Sequence, residues 1–368
     1  MLKKIQIENF KSFKDQVINL GNLNVLIGPN GSGKSNFISL FKFLERLVEK
    51  QLSEYIFKSG GINNFLFNGY ETSEHIRVYL EWKTTKNKAN IYEFVLNSNG
   101  EDYWFSKEVI GFWSKKKYST PYENFIGSEH KESVIQKSAK KDRIAEYVYN
   151  YLNDLKVYHF HDTSENAQLK LPQDIEDVYY FKSEAENLAP FLLYLKEEEE
   201  NIYEKIVEAV RLVFPNFNDF VLEESPKSKG KILLRWSEKG NEHIFDIKQM
   251  SDGTLRFICL TTLLMQPKET SAVPETIILD EPELGLHPFA INVLSELIQK
   301  ASVEKQIIIA TQSVTLVNHF EPNDLLVAER DEDGATTFNT KSEENLKDWL
   351  EDYTLGELWE NNFLGGRP

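Results

Sequence analysis

The sequence predicts an α/β fold with a mixed sheet, an antiparallel section near the N-terminus and a mostly helical insertion. Three observations support this. Strand-like runs dominate roughly the first 115 residues, residues 130–215 mainly carry the apolar spacing of helices, and strands then alternate with helices to about residue 353. Because such alternation is typical of a parallel sheet covered by helices, the last part is expected to supply the parallel strands.

The same observations divide the chain into three parts. Residues 1–130 form a first lobe with the antiparallel strands, residues 131–215 form the mostly helical insertion, and residues 216–368 form a second lobe. No heptad repeat persists in the insertion, so a long coiled coil is not expected.

Composition narrows the class of protein. The chain has 368 residues, 41% of them hydrophobic, and a formal net charge of −16. No apolar stretch approaches the roughly 20 residues that a membrane span needs, and residues 1–10 contain no signal-peptide core. The single cysteine, Cys259, excludes an internal disulfide and a cysteine-based zinc site. We therefore expect a cytoplasmic protein without a membrane partner.

Charge is distributed unevenly along the chain. Lys107–Arg143 contains nine basic and five acidic residues, whereas Asp174–Glu208 contains three basic and eleven acidic residues. The overall negative charge argues against a surface that binds nucleic acid throughout, because affinity for phosphates comes from clustered Lys and Arg. Solvated surfaces are the simpler interpretation of both segments. A local contact between Lys107–Arg143 and nucleic acid stays open.

The first chemical motif lies between the apolar strand Leu23–Ile27 and an amphipathic helix. Its sequence, Gly28–Ser35, fits G-x-x-x-x-G-K-[ST]. Glycines let several backbone N–H groups face one phosphate chain, and the helix directs its positive end there. Lys34 is expected to reach the β- and γ-phosphates of ATP, and the Ser35 hydroxyl to hold Mg²⁺. The residues predicted to bind nucleotide in this phosphate loop are Asn30, Gly31, Ser32, Gly33, Lys34, Ser35 and Asn36.

The second motif is the apolar strand Thr276–Leu279, which is followed directly by Asp280 and Glu281. Alone, an apolar strand that ends in two acids is an ordinary strand end. Beside a phosphate loop, it is interpreted as the second half of a nucleotide site. Asp280 would orient Mg²⁺, and Glu281 would polarise the attacking water as the catalytic base.

The third motif, the signature segment Met250–Thr254, opens an amphipathic helix. A helix start with hydroxyl and glycine residues can bind an anion, and a simple Ser N-cap is the alternative. Beside the first two motifs, this segment resembles the signature of ABC-type ATPases. The resemblance implies that Ser251 and Gly253 contact the γ-phosphate of ATP held by a partner subunit. ATP binding would then form a homodimer.

Two further segments resemble the same family. Leu284–Pro288 follows the acidic pair where the family carries its D-loop, and His287 is predicted to contact nucleotide. Strand Gln306–Ala310 then ends in the switch segment, residues 311–313, where the family has a histidine and this chain has Gln312. Glutamine can hydrogen-bond a phosphate or a water but cannot carry a proton. Gln312 is therefore predicted to take part in catalysis, with hydrolysis that is slow or partner-stimulated.

The N-terminal segment Asn9–Phe13 resembles the opening strand motif of RecF, SMC and OLD-like heads, which lies beside the nucleotide base in those proteins. This resemblance implies base contacts by Lys11 and Ser12. Together with the other motifs, it covers about residues 1–115 and 215–330. No clear Q-loop glutamine follows the phosphate-loop helix, and Gly60–Gly69 is our candidate for that space.

Two outlying segments, Val157–Ser164 and Leu355–Pro368, resemble a family of stand-alone bacterial predicted ATPases of the AAA type, whose role is uncertain. His159 and His161 alternate on a predicted strand. A structural or hydrogen-bonding role is favoured over a metal site, because a metal site needs more ligands than these two histidines.

Together these motifs predict an ATP-binding and hydrolysing switch that dimerises around ATP. The family resemblance implies a role in DNA metabolism or anti-phage defence with a separate effector, such as a Toprim-type nuclease. Two alternatives stay open: a nucleotide-sensing scaffold with little turnover, and a subunit that energises a transporter. Glu281 argues against the scaffold and Gln312 slightly for it, whereas the 131–215 insertion and the missing switch histidine argue against the transporter subunit.

Overall fold

The computed structural model describes residues 1–225, 228–266, 273–341 and 343–367. Within these residues the strands, in chain order, are β1 (Leu2–Phe10), β2 (Phe13–Asn19), β3 (Leu23–Ile27), β4 (His75–Thr85), β5 (Lys88–Ser98), β6 (Tyr103–Ser114), β7 (Tyr122–Gly127), β8 (Leu155–Tyr158), β9 (Gln173–Asp174), β10 (Phe217–Val221), β11 (Lys231–Ile232), β12 (Arg235–Glu238), β13 (Ile244–Asp246), β14 (Thr276–Asp280), β15 (Gln306–Ala310), β16 (Leu325–Arg330) and β17 (Thr336–Thr340). The α-helices are α1 (Lys34–Val48), α2 (Leu52–Lys58), α3 (Ile135–Ala139), α4 (Arg143–Asn153), α5 (Leu188–Glu198), α6 (Glu200–Val213), α7 (Asp252–Leu264), α8 (Pro288–Ser302), α9 (Val314–Val317), α10 (Glu343–Leu350) and α11 (Leu355–Glu360).

The central sheet has the strand order β17-β16-β3-β15-β14-β8. All its pairings are parallel except that of β16 with β17. Strands β3 and β15 are buried along their whole length, as expected for parallel strands covered on both faces. Because β3, β15 and β14 are neighbours and run the same way, the segments that follow them meet at one edge of the sheet.

A second sheet, β2-β1-β4-β5-β6-β7, is antiparallel throughout. One face packs on α1 and α4, where Phe43, Phe94 and Phe105 belong to a shared hydrophobic cluster. Together the two sheets confirm the predicted α/β fold with a mixed sheet and an antiparallel N-terminal section.

The segment 131–215 contains α3 to α6 and also supplies β8, which pairs with β14 in the central sheet. The prediction that His159 and His161 lie on a strand is wrong, because β8 ends at Tyr158. The physical reason is a change of partner: the backbone N–H of His159 donates to the carbonyl of Ser183 at 2.9 Å, outside the sheet.

A smaller antiparallel sheet, β10-β12-β13, leads into the signature helix α7. The apolar residues of α7 are buried in a core that includes Phe257 and the free thiol Cys259. Among the described residues, no helix combines the length and apolar character required to cross a membrane.

Candidate nucleotide-binding site

The phosphate loop turns sharply because its glycines adopt conformations that other residues rarely adopt. Gly28 has φ 148° and Gly33, the N-cap of α1, has φ 111°. A Cβ atom at Gly33 would lie 2.1 Å from the Thr336 hydroxyl, so a side chain cannot fit there. The loop therefore brings its backbone to the start of α1, where N–H groups without helical partners favour an anion.

Lys34 lies at the centre of this site. Its ammonium donates to the carbonyl oxygens of Gly28, at 2.5 Å, and Pro29, at 3.1 Å. Burial lowers the pKa of Lys34, and the nearby Glu281 and Asp280 carboxylates partly offset that effect. A cation held between loop carbonyls and carboxylates is placed to bind a polyphosphate.

Two loop hydroxyls also fit a bound nucleotide. Ser32 Oγ is buried and has no hydrogen-bond partner among the described residues. A phosphate oxygen would supply that partner, since buried polar groups are normally hydrogen-bonded. Ser35, by contrast, is exposed on the first turn of α1, where a hydroxyl can serve as a ligand of Mg²⁺.

The acidic strand end lies beside the phosphate loop. Burial and the neighbouring Glu281 raise the pKa of Asp280, so a bound cation would be favoured there. Glu281 has φ 43° and its backbone N–H donates to the Ala310 carbonyl at 2.8 Å. The side chain of Gln312 donates to Glu281 Oε1 at 2.5 Å. The structure thus brings the predicted base and the predicted switch glutamine into direct contact.

Glu283 was missed by the sequence reasoning. Its Oε1 accepts from the Thr311 hydroxyl at 2.5 Å and lies 3.4 Å from the backbone nitrogen of Gln312. Its Oε2 is buried and has no partner among the described residues, and burial raises its pKa. Glu283 therefore holds the switch segment in place through Thr311 and the backbone of Gln312. The available sequence signal was a third carboxylate within Asp280–Glu283.

The N-terminal motif is tied to the phosphate loop through Ser12. The Thr336 hydroxyl lies 2.8 Å from both Ser12 Oγ and the Ser32 carbonyl, and Asn36 donates to Ser12 Oγ at 2.8 Å. Ser12 is buried in this network, which connects the turn between β1 and β2 to the phosphate loop and β17. The base contact that the resemblance implied for Ser12 stays a prediction.

A cleft of about 520 Å³ opens next to this network. The candidate Q-loop segment Gly60–Gly69 forms one wall of this cleft. A hydrogen bond holds the segment beside Lys11, whose backbone N–H donates to the Phe65 carbonyl at 2.7 Å. The ammonium of Lys11 lies 5.4 Å from the centre of the Phe65 ring. The lining residues are Lys11, Ser12, Asn36, Asn63, Asn64, Leu66, Asn68, Gly69 and Arg330.

The signature segment packs on the D-loop segment, Leu284–Pro288. Ser251 caps α7, and its hydroxyl accepts from the backbone N–H of Thr254 at 3.2 Å. A Cβ atom at Gly253 would lie 2.4 Å from the carbonyl oxygen of Gly285. Gly253 thus has a packing requirement within its own chain, in addition to the role that the resemblance implied.

Arg256 links the signature helix to the acidic strand end. Its guanidinium donates to the carbonyls of Phe160, His161 and Leu284. The His161 ring nitrogen Nε2 lies in turn 2.9 Å from the carbonyl oxygen of Asp280. His161 therefore has the hydrogen-bonding contact that was favoured over a metal site. Within the part of the chain that the structure covers, no group of three or more His, Cys, Asp or Glu residues is suited to a metal ion.

His287 lies at the surface as the N-cap of α8, where its Nδ1 accepts from the backbone N–H of Phe289 at 3.3 Å. The apolar side chains of Leu284 and Phe289 are exposed nearby, at 44% and 50%. Ser251 is exposed as well. The signature and D-loop segments therefore share a surface that is open to a partner.

The partly buried position of His159, whose Nε2 atom is enclosed, predicts a pH dependence of stability. Burial, with Lys42 and His161 nearby, lowers the pKa of His159 from 6.5 to about 4. Between these values the unfolded chain binds a proton that the folded protein does not, so stability falls as pH drops from about 6.5 to 4. We expect His159→Gln to reduce this loss, as measured by urea unfolding at pH 7 and pH 5. The exposed His243→Gln is the control, and an equal change in both variants would contradict the prediction.

A phosphate loop and an acidic strand end at one sheet edge, together with a signature helix, define an ATPase of the AAA/ABC type. The chain belongs to the family described as AAA domain, putative AbiEii toxin, Type IV TA system, which matches residues 23–318.

Two curated relatives are similar over shorter stretches. The OLD nuclease of Thermus scotoductus is 30% identical over 111 residues, and endonuclease GajA of Bacillus cereus is 34% identical over 76 residues. These stretches cover 30% and 21% of this chain, and 20% and 12% of the relatives. The matched part is therefore a small share of either relative.

The fold is also similar to solved structures of Smc heads. An Smc head bound to the C-terminal winged-helix domain of ScpA matches with a TM-score of 0.61 and 16% identity, over 94% of this chain and 99% of that chain. The Smc head from Pyrococcus furiosus with an extended coiled coil matches with a TM-score of 0.53 and 17% identity, over 95% and 98% of the two chains. Family, relatives and fold together confirm the predicted RecF/SMC/OLD-like ABC-type ATPase.

Proposed function

We propose that this protein is an ATP-binding and hydrolysing switch that dimerises around ATP. The observation that carries the proposal is the convergence of Lys34, Asp280, Glu281 and Gln312 at one edge of the central sheet. A cation for phosphates, a carboxylate for a metal and a carboxylate for water are the parts that phosphoryl transfer to water requires.

Mg²⁺ is the cation that this proposal requires. Ser35 and Asp280 would hold it, and it would supply positive charge to neutralise the phosphates. Glu281 orients the attacking water and accepts its proton. Gln312 holds the Glu281 carboxylate by donating a hydrogen bond to it, but an amide cannot carry a proton as a histidine at this position could. We therefore propose a slow reaction that a partner stimulates.

The dimer is proposed from the open surface around Ser251. In an ATP sandwich, the phosphate loop of one chain would face Ser251 and Gly253 of the other, with His287 near the nucleotide. The exposed Leu284 and Phe289 would become buried in that interface, as apolar residues at interface centres are.

The names of the family and the relatives support the proposed biological role. The family is described as a putative toxin of a type IV toxin–antitoxin system, and both relatives are named as nucleases. We therefore propose a role in anti-phage defence or DNA metabolism, with the nuclease supplied by a separate effector of the Toprim type.

Size-exclusion chromatography with light scattering tests the switch. We expect Glu281→Gln with saturating ATP and Mg²⁺ to elute as a dimer, because it retains the binding groups and loses the base. Without nucleotide it is expected to be a monomer. Ser251→Arg supplies the matched control, since a long side chain at the interface blocks the sandwich and leaves Lys34 in place. A Glu281→Gln protein that stays monomeric at saturating ATP would refute the dimerising switch.

A further inference from the structure

The segment that follows α11 runs back to the phosphate loop. Leu364 is fully buried in the main hydrophobic core, and Gly365 and Gly366 follow with φ 79° and 55°. This Gly-Gly turn was part of the outlying sequence pattern, and the ATPase motifs give it no role. Because the turn lies beside the candidate nucleotide site, its role is expected at that site.

Both backbone polar groups of Gly366 are hydrogen-bonded. Its N–H donates to Glu329 Oε1 at 3.0 Å, and its carbonyl oxygen accepts from the indole N–H of Trp359. The Trp359 side chain is fully buried, so its N–H has a strong requirement for an acceptor. Gly366 is therefore fixed by hydrogen bonds rather than simply covering the surface.

Gly366 touches the first residue of the phosphate loop. A Cβ atom at position 366 would lie 3.4 Å from Gly28 Cα, 2.9 Å from the Ala328 carbonyl and 2.8 Å from Val327 Cγ1. A Cβ atom at Gly28 would lie 2.5 Å from the same Ala328 carbonyl. Positions 28 and 366 thus pack against the backbone of Ala328 without room for a side chain of their own.

Strand β16, which contains Ala328, contacts the phosphate loop at a second point. Arg330, at the end of β16, donates from Nε to the Gly31 carbonyl at 2.9 Å. The loop is therefore supported at Gly28 by the packed backbones and at Gly31 by Arg330. A displacement of β16 or of the Gly-Gly turn would move Gly28, and the carbonyl of Gly28 is one of the two to which Lys34 donates.

We propose that the Gly365–Gly366 turn is a positioning element of the nucleotide site, which holds the phosphate loop in its binding conformation through Gly28 and β16. Its effect on ATP affinity rests on the proposed nucleotide binding, whereas its effect on the loop itself does not. The two effects can therefore be measured separately.

Gly366→Ala tests the contact, and Gly240→Ala is its matched control. Gly240 has φ 72°, so alanine there meets a similar backbone strain, but no atom lies within 4 Å of its Cβ position. The readouts are hydrogen exchange of the peptide covering residues 28–36 without nucleotide, and equilibrium binding of a fluorescent ATP analogue with Mg²⁺. We expect Gly366→Ala alone to speed loop exchange and to weaken binding by about 10- to 100-fold, as displaced positioning groups do.

Trp359→Phe is the second variant, because it keeps a buried aromatic ring and removes the donor to Gly366. We expect the same two changes in smaller degree, with unchanged exchange in α8. Loop exchange and affinity equal to those of Gly240→Ala in both variants would overturn the inference. Faster loop exchange together with no ATP binding by the wild type would uphold the positioning of the loop and reject the proposed function instead.

Discussion

Lys34→Met is expected to remove measurable ATP turnover and to weaken ATP binding by roughly 10- to 100-fold. A hydrogen bond to a charged group contributes about 1.5–3 kcal/mol, and each 1.4 kcal/mol corresponds to a factor of ten in affinity. Lys34 is the loop cation that lies between the carbonyls of Gly28 and Pro29 and the acidic strand end. Methionine has a similar length and cannot replace its charge.

This substitution should not destabilise the protein without nucleotide. Burial lowers the pKa of Lys34, so the folded state is penalised for keeping the ammonium charged. A neutral side chain removes that penalty, and the melting temperature without ATP should stay equal or rise. The increase in melting temperature that ATP causes in the wild type should be lost.

Lys58→Met is the matched control for Lys34→Met. Lys58 is exposed, and it pairs with Glu54 at 2.6 Å one helical turn away. We expect wild-type affinity and turnover for this variant, because exposed pairs of this kind contribute little to stability. ATP affinity that survives in Lys34→Met would contradict the assignment of the phosphate loop.

The local parts of the site could be predicted because each depends on a short stretch of sequence. An apolar run before Gly28 and the spacing of Phe37, Phe41 and Leu44 predicted β3 and α1, and these residues are buried as expected. The strand that delivers Asp280 and the helix after Ser251 were predicted from the same kind of pattern.

Contacts between distant segments could not be predicted in this way. The sequence predicted a strand around His159 but could not show that the observed strand, β8, pairs with β14. Neither the packing of Gly253 against Gly285 nor the contact of Gly366 with Gly28 leaves a local pattern beyond a glycine. Such contacts depend on tertiary packing, which determines which distant segment lies against each glycine.

Glu281→Gln and Glu283→Gln make the same chemical change two residues apart, and we expect opposite results. Glu281→Gln should lower steady-state turnover by about 10²- to 10⁴-fold, the usual contribution of a general base, while ATP affinity is retained. The physical reason is that an amide oxygen can orient a water but cannot accept its proton. The measurement is phosphate release at saturating ATP, beside equilibrium binding of a fluorescent analogue.

Glu283→Gln should keep turnover within about tenfold of the wild type, because an amide oxygen can still accept from Thr311 and from the backbone N–H of Gln312. Burial raises the pKa of Glu283, so its ionised form is disfavoured in the fold and stability is lost as pH rises through that pKa. The neutral glutamine removes this loss, and unfolding at pH 7 should need equal or more denaturant.

If Glu283→Gln lost turnover as fully as Glu281→Gln does, the general base would have to be reassigned to Glu283. If Glu281→Gln kept turnover near that of the wild type, Glu281 would not be the general base.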